Sequence, residues 1–168
     1  NPADLQEIPD TINSTGVFVD MGISELKEIV SVYKLNYVQL HGNESVEYCN
    51  ELQSEGVKII KAFRIGDRFD FDILQDYIPF CQYFLFDTLV PQYGGSGLKF
   101  NWDILKSYKS QHPFLLSGGI GPDDLMEIKS YSHPSFAGID LNSRFELQPG
   151  IKDINKLKEF IQSVRKES

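Results

Sequence analysis

Asp87 closes a short apolar run rich in aromatics, Tyr83-Phe84-Leu85-Phe86, and a glycine-rich loop, Gly94-Gly95-Ser96-Gly97, follows it. A carboxyl group partly screened from water has a raised pKa and can act as a general acid. Glycines let a backbone approach an anion closely. Two more loops of this kind come later, Ser117-Gly118-Gly119 and Asn142-Ser143. N–H groups at a helix start stabilise an anion, so three such loops at consecutive strand ends point to a phosphorylated ligand. Taken singly, Asp and Gly also simply mark turns. Other polar groups stand at strand ends: Asp20, His41, Arg64 and Asp140. His41 can exchange protons near neutral pH, or serve as a hydrogen-bonded histidine at the core edge. Asp20 and Asp140 either orient a ligand or cap their turns. Trp102 reads as a packing residue.

The elements that must position these groups alternate in type. Apolar runs over residues 17–19, 37–40, 58–63, 84–87, 113–117 and 136–141 read as strands. Helical patterns lie between them. One follows a Ser24 cap, one spans 44–54 with Gly56 closing it, and one spans 70–77 with Pro79 ending it. Others span 101–109, open at Gly121-Pro122-Asp123-Asp124, and span 154–164. Residues 1–14 are polar and helix-like in places, with Pro9 interrupting. The βα unit thus repeats six times, with strand centres about 20 to 30 residues apart. That alternation implies an α/β fold with a parallel sheet, either doubly wound or a (β/α)8 barrel. A ring of polar or glycine strand ends favours the barrel, which six units alone do not close.

Composition bounds the function. The 168 residues suit one domain, with 41% apolar and 24% charged residues, ordinary for a soluble protein with a real core. No apolar run is long enough to span a bilayer and no signal-peptide pattern is present, so no membrane role is expected. A net charge of −8 argues against nucleic-acid binding, and means that local cations and backbone N–H groups must catch an anionic substrate. Cys49 and Cys81 have neither metal-ligand nor redox spacing and read as buried structural residues in a reducing cytoplasm.

Several stretches together resemble phosphoribosylanthranilate isomerase. They are Val38-Gln39-Leu40-His41-Gly42, Phe86-Asp87-Thr88, Gly94-Gly95-Ser96-Gly97 with Phe100 and Trp102, Leu116-Ser117-Gly118-Gly119, and Pro149-Gly150-Ile151-Lys152-Asp153. The resemblance implies a TIM barrel that carries out an Amadori rearrangement in tryptophan biosynthesis, without metal or organic cofactor. It makes Asp87 the general acid that opens the furanose ring. It assigns Gln39, His41, Arg64 and Asp140 to the substrate, and Gly94, Gly95, Ser96, Gly97, Gly118, Gly119, Asn142 and Ser143 to its phosphate. A monomer or homodimer is implied. The family's first-strand Cys base and second-strand Arg clamp have no counterpart, so residues 1–168 are expected to be the last six units of one barrel domain. Such a piece alone should be nearly inactive, with exposed strand edges that invite association. Two other readings stay open, a related phosphate-binding barrel isomerase or synthase and a non-catalytic phosphate-binding remnant. The family's Ser-Ser-Gly-Val reads Asn142-Ser143-Arg144-Phe145, which adds a cation beside the phosphate loop.

Overall fold

The computed structural model describes residues 8–66, 68–89 and 101–166. Six strands, β1 (Thr15–Phe18), β2 (Tyr37–Leu40), β3 (Ile59–Ile65), β4 (Tyr83–Thr88), β5 (Phe114–Leu116) and β6 (Phe136–Ile139), form one sheet in that order. The β1–β2, β2–β3 and β5–β6 pairs are parallel. A doubly wound sheet reverses its order at a switch point, whereas here every strand lies beside its sequence neighbour, the order of a barrel. The described residues fall into two compact units, one of residues 8–63 and 70–85, the other of 64–66, 68–69, 86–89 and 101–166.

The first unit holds α1 (Ile23–Tyr33) and α2 (Val46–Ser54) between its strands. Val38 and Leu40 on β2 and Ile59 on β3 are fully buried, with Leu26 and Leu52 from the helices. The intervening Gln39 and Ile60 are buried too, as expected for parallel strands covered on both faces. Phe63 meets Tyr77 and Phe84 edge-on, with ring centroids 5.2 Å apart in both pairs. Ser45 caps α2 by accepting from the Tyr48 N–H, and Gly56 takes φ +83° just beyond its end. At α1 the cap is Gly22 rather than Ser24, because the Leu26 N–H already reaches the Gly22 carbonyl at 3.0 Å. Residues 8–14 contain no helix, so the helical tendency read into that stretch is not realised in its described part.

The second unit holds α3 (Leu125–Ser130) and α4 (Ile154–Arg165), with an aromatic core. Phe86, Tyr108 and Phe114 form a triangle with centroids 5.0–5.5 Å apart. The stretch expected as a helix over 101–109 is a 3-10 helix, Trp102–Ser107, capped by Asn101. It stops there because Tyr108 leaves helical geometry to enter the core, its hydroxyl donating to the His112 carbonyl at 2.8 Å. The segment Phe71–Tyr77, in the first unit, is likewise a 3-10 helix, capped by Asp70. After β6 come a one-turn 3-10 helix (Ser143–Phe145) and a hairpin absent from the sequence reading, β7 (Glu146–Gln148) and β8 (Ile151–Lys152). Pro149-Gly150 makes its turn, with Gly150 at φ +80°. Asp153 then caps α4, accepting from the Lys156 N–H at 3.1 Å.

Candidate active site

Within the second unit, the carboxyl ends of β4, β5 and β6 are bonded to one another. The Ser117 N–H donates to the Phe86 carbonyl at 2.8 Å, and the Asp140 N–H to the Leu116 carbonyl at 2.7 Å. The Ser117 hydroxyl donates to Asp140 Oδ2 at 2.9 Å. Asp140, left open between ligand and turn by its sequence position, thus fixes the loop after β5. Asp87 is half-buried, and its Oδ1 accepts the N–H of Thr88 at 2.8 Å. That bond turns one carboxylate oxygen back onto the chain and fixes where the group can present a proton.

Gly118 lies directly against this carboxylate. A Cβ added there would sit 2.1 Å from Thr88 Oγ1, 2.8 Å from Thr88 N and 2.9 Å from Asp87 Oδ1. Its φ of +88° and that of Gly119, +66°, let the loop turn over the strand end. Gly118→Ala is expected to cost about 1–3 kcal/mol from backbone strain alone. It should also displace Asp87, so urea denaturation and turnover should both register it. A variant equal to the parent in both would mean that this close approach is not needed.

Asn142 is exposed and Ser143 half-buried, at the start of the 3-10 helix Ser143–Phe145. A short extra helix after the last strand is where barrels of this class commonly seat a phosphate. Arg144 lies over the loop after β5: its Nε is 2.8 Å from where a Gly121 Cβ would be, and its guanidinium donates to Asp123 Oδ2 at 3.3 Å. Arg64 is half-buried near the end of β3. Gly94, Gly95, Ser96 and Gly97 lie outside the described residues.

Gln39 and His41 belong to the first unit. Gln39 is buried, and its Nε2 lies 2.9 Å from His41 Nδ1. With the amide donating, Nδ1 accepts and the ring proton sits on Nε2. The turn that follows is clamped by two residues outside the expected site, Glu44 and Lys61. Their side chains are 2% and 3% exposed and pair at 3.1 Å. Lys61 Nζ also donates to the carbonyls of Leu40 (3.3 Å), Gly42 (2.9 Å) and Ala62 (3.1 Å). Glu44 Oε1 accepts the Asp20 N–H at 2.9 Å, and both its oxygens lie within 3.1 Å of the Gly42 N–H. Asp20 Oδ1 accepts the Asn43 N–H at 2.6 Å, so Asp20 caps this loop. The hint in the sequence was a lysine inside the strand Ile59-Ile60-Lys61-Ala62-Phe63, since a buried cation needs a partner. Cys49 and Cys81 are buried as expected. A hydrogen bond to Cys49, then burial, pushes the Cys81 thiol up and keeps it protonated.

Among the described residues, no three of His, Cys, Asp and Glu converge as metal ligands, and no helix is long and apolar enough to cross a membrane.

A family model described as N-(5'phosphoribosyl)anthranilate (PRA) isomerase matches residues 2–163. The chain is 54% identical over 149 residues to the N-(5'-phosphoribosyl)anthranilate isomerase of Parabacteroides distasonis, covering 89% of this chain and 67% of that one. The crystal structure of phosphoribosyl anthranilate isomerase from Thermotoga maritima superposes with a TM-score of 0.82 at 31% identity, over 98% of this chain and 80% of that one. A structure of phosphoribosyl anthranilate isomerase in complex with reduced 1-(o-carboxyphenylamino)-1-deoxyribulose 5-phosphate superposes with a TM-score of 0.79 at 28% identity, over 98% and 79%.

Proposed function

The chain belongs to the N-(5'-phosphoribosyl)anthranilate isomerase family, and from that premise we propose that the protein carrying it converts N-(5-phosphoribosyl)anthranilate to 1-(2-carboxyphenylamino)-1-deoxyribulose 5-phosphate. Its fold is that of the family's TIM barrels. The reaction is a step of tryptophan biosynthesis.

The observation that carries the assignment of roles is that Asp87 and the loops after β5 and β6 stand at strand ends bonded to one another. Asp87 is the general acid. It gives its proton to the furanose ring oxygen as the C1–O bond breaks, leaving an iminium between C1 and the anthranilate nitrogen. Loss of the C2 proton to a base then gives the enol amine, which tautomerises to the ketose. Cys49 and Cys81 do not suit that role, because both are buried and Cys81 is held protonated. The phosphate sits against Gly118, Gly119, Asn142 and Ser143, with residues 94–97 as its further partners. Gly118 and Gly119 offer backbone N–H groups without a side chain between donor and anion. Anchoring the substrate by a group remote from the reacting carbons leaves the acid free to act on the ring oxygen. Gln39, His41, Arg64 and Asp140 complete the proposed substrate contacts. In this reading His41 donates through Nε2, and Asp140 acts through Ser117. The same proposal takes the cytoplasm as the compartment and a monomer or a homodimer as the working state.

The test is direct. The full-length protein, supplied with N-(5-phosphoribosyl)anthranilate, should deplete its anthranilate fluorescence and yield the ketose phosphate by mass spectrometry. Binding of inorganic phosphate without turnover would support a non-catalytic seat instead.

A further inference from the structure

Lys152, in the stretch Pro149-Gly150-Ile151-Lys152-Asp153, lies beside the proposed phosphate loop at Asn142. It lies on β8 directly opposite Glu146 of β7, and its Nζ meets Glu146 Oε1 at 2.9 Å. The two side chains are 30% and 16% exposed, so the pair is partly withdrawn from water. The same Nζ donates to Asn142 Oδ1, across the 3-10 helix Ser143–Phe145. That helix is itself anchored. The Asp153 N–H donates to the Phe145 carbonyl at 2.8 Å, and buried Phe145 packs on Phe160 of α4 with the rings tilted and centroids 5.0 Å apart.

An asparagine amide has two unlike ends: a carbonyl oxygen, which repels a phosphate oxygen, and an NH2, which binds it. Left alone, the amide presents either end. An ammonium group only donates, so Lys152 must take the carbonyl end. The NH2 is then the end that remains for an anion.

Resting on the isomerase reading above, we propose that Lys152 is a positioning residue that locks the orientation of the Asn142 amide, so that its donor end meets the substrate phosphate. Glu146 holds the lysine on the hairpin, and the hairpin turn sets its distance. This site has a charge near the phosphate that works through a neutral neighbour. In that role, a donor-only replacement must preserve function and loss of the amide must abolish the lysine's contribution.

The experiment uses the full-length protein and two readouts, steady-state kinetics and calorimetric titration with inorganic phosphate. Lys152→Met should raise KM about five- to tenfold, the effect of losing one well-oriented donor, and leave kcat within about twofold. Phosphate affinity should fall by the same factor. Asn142→Ala should match it, and the double variant should be no worse than Asn142→Ala alone, since both act through one amide. Lys152→Arg, which also only donates, should restore KM. Asn142→Asp should bind phosphate more weakly than either, because its second oxygen faces the anion. If the two single losses multiply in the double variant, Lys152 acts directly and the lock is overturned. Unchanged KM and phosphate affinity in Lys152→Met also overturn it. Should Lys152→Met not fold, Asn142→Ala with Lys152→Arg decides, and an unchanged phosphate affinity in Asn142→Ala overturns the proposal. A parent that binds phosphate in this Lys152-dependent way yet does not isomerise would sink the isomerase reading and leave the lock standing.

Discussion

Asp87→Asn in the full-length protein is expected to slow the conversion of N-(5-phosphoribosyl)anthranilate by about 10²- to 10⁴-fold, the usual loss when a positioned proton donor is removed. The fold should be retained. Asp87 Oδ1 accepts the N–H of Thr88, and an asparagine carbonyl accepts it equally well. The substitution therefore removes the transferable proton and keeps this bond. Since the acid acts on the ring oxygen and the phosphate is held elsewhere, kcat should fall while KM moves little. Phosphate affinity by titration should be unaltered. Single-turnover fluorescence with a matching thermal melt would check both halves. Turnover within about threefold of the parent would remove Asp87 from the acid's role.

Lys61→Met is expected to destabilise the protein by about 3–5 kcal/mol, because it leaves the Glu44 carboxylate buried without its cation. The pair is unlike the ion pairs on the surface, such as Lys106 with Asp103, whose side chains are 79% and 67% exposed. An exposed pair contributes about 0–1 kcal/mol. At about 2–4 °C for each kcal/mol, the melting temperature should drop well beyond what a surface change produces. The double variant Lys61→Met/Glu44→Gln should recover part of the loss. A neutral glutamine still accepts the N–H groups of Asp20 and Gly42 through its oxygen, and no charge is stranded. A single variant that loses less than about 1 kcal/mol would place this pair with the surface ones.

How far these features could be read from the chain depends on how local their causes are. The strand over 37–40 is observed as Tyr37–Leu40, and the Gly56 turn after α2 is observed with its positive φ. Both rest on apolar runs and a glycine, which act over a few residues. Asp87 at the end of β4 and Gly118 in the loop after β5 were legible for the same reason. Glu44 and Lys61 were not, because no periodicity links a loop carboxylate to a lysine on the next strand. Their pairing exists only once β2 and β3 lie side by side. The 3-10 character of Trp102–Ser107 was hidden similarly, since it is set by the burial of Tyr108 in the aromatic core. The hairpin after β6 carried a visible signal, the Pro149-Gly150 dipeptide, but its strands are too short to show alternation. Arg144 read as a cation for the ligand, and the structure gives it a carboxylate, Asp123.

The nearest-neighbour order of β1 to β6 also sets how the chain can assemble. Thr15 pairs with Tyr37, Val38 with Ile59 and Phe114 with Phe136, and each match joins residues separated by 21 or 22 positions. Each of these pairings closes a loop of nearly the same size and loses nearly the same chain entropy, since that loss grows only with the logarithm of loop length. During synthesis on the ribosome, every strand therefore leaves the exit tunnel after the strand it will follow in the sheet. Each of these additions can use an edge that is already present.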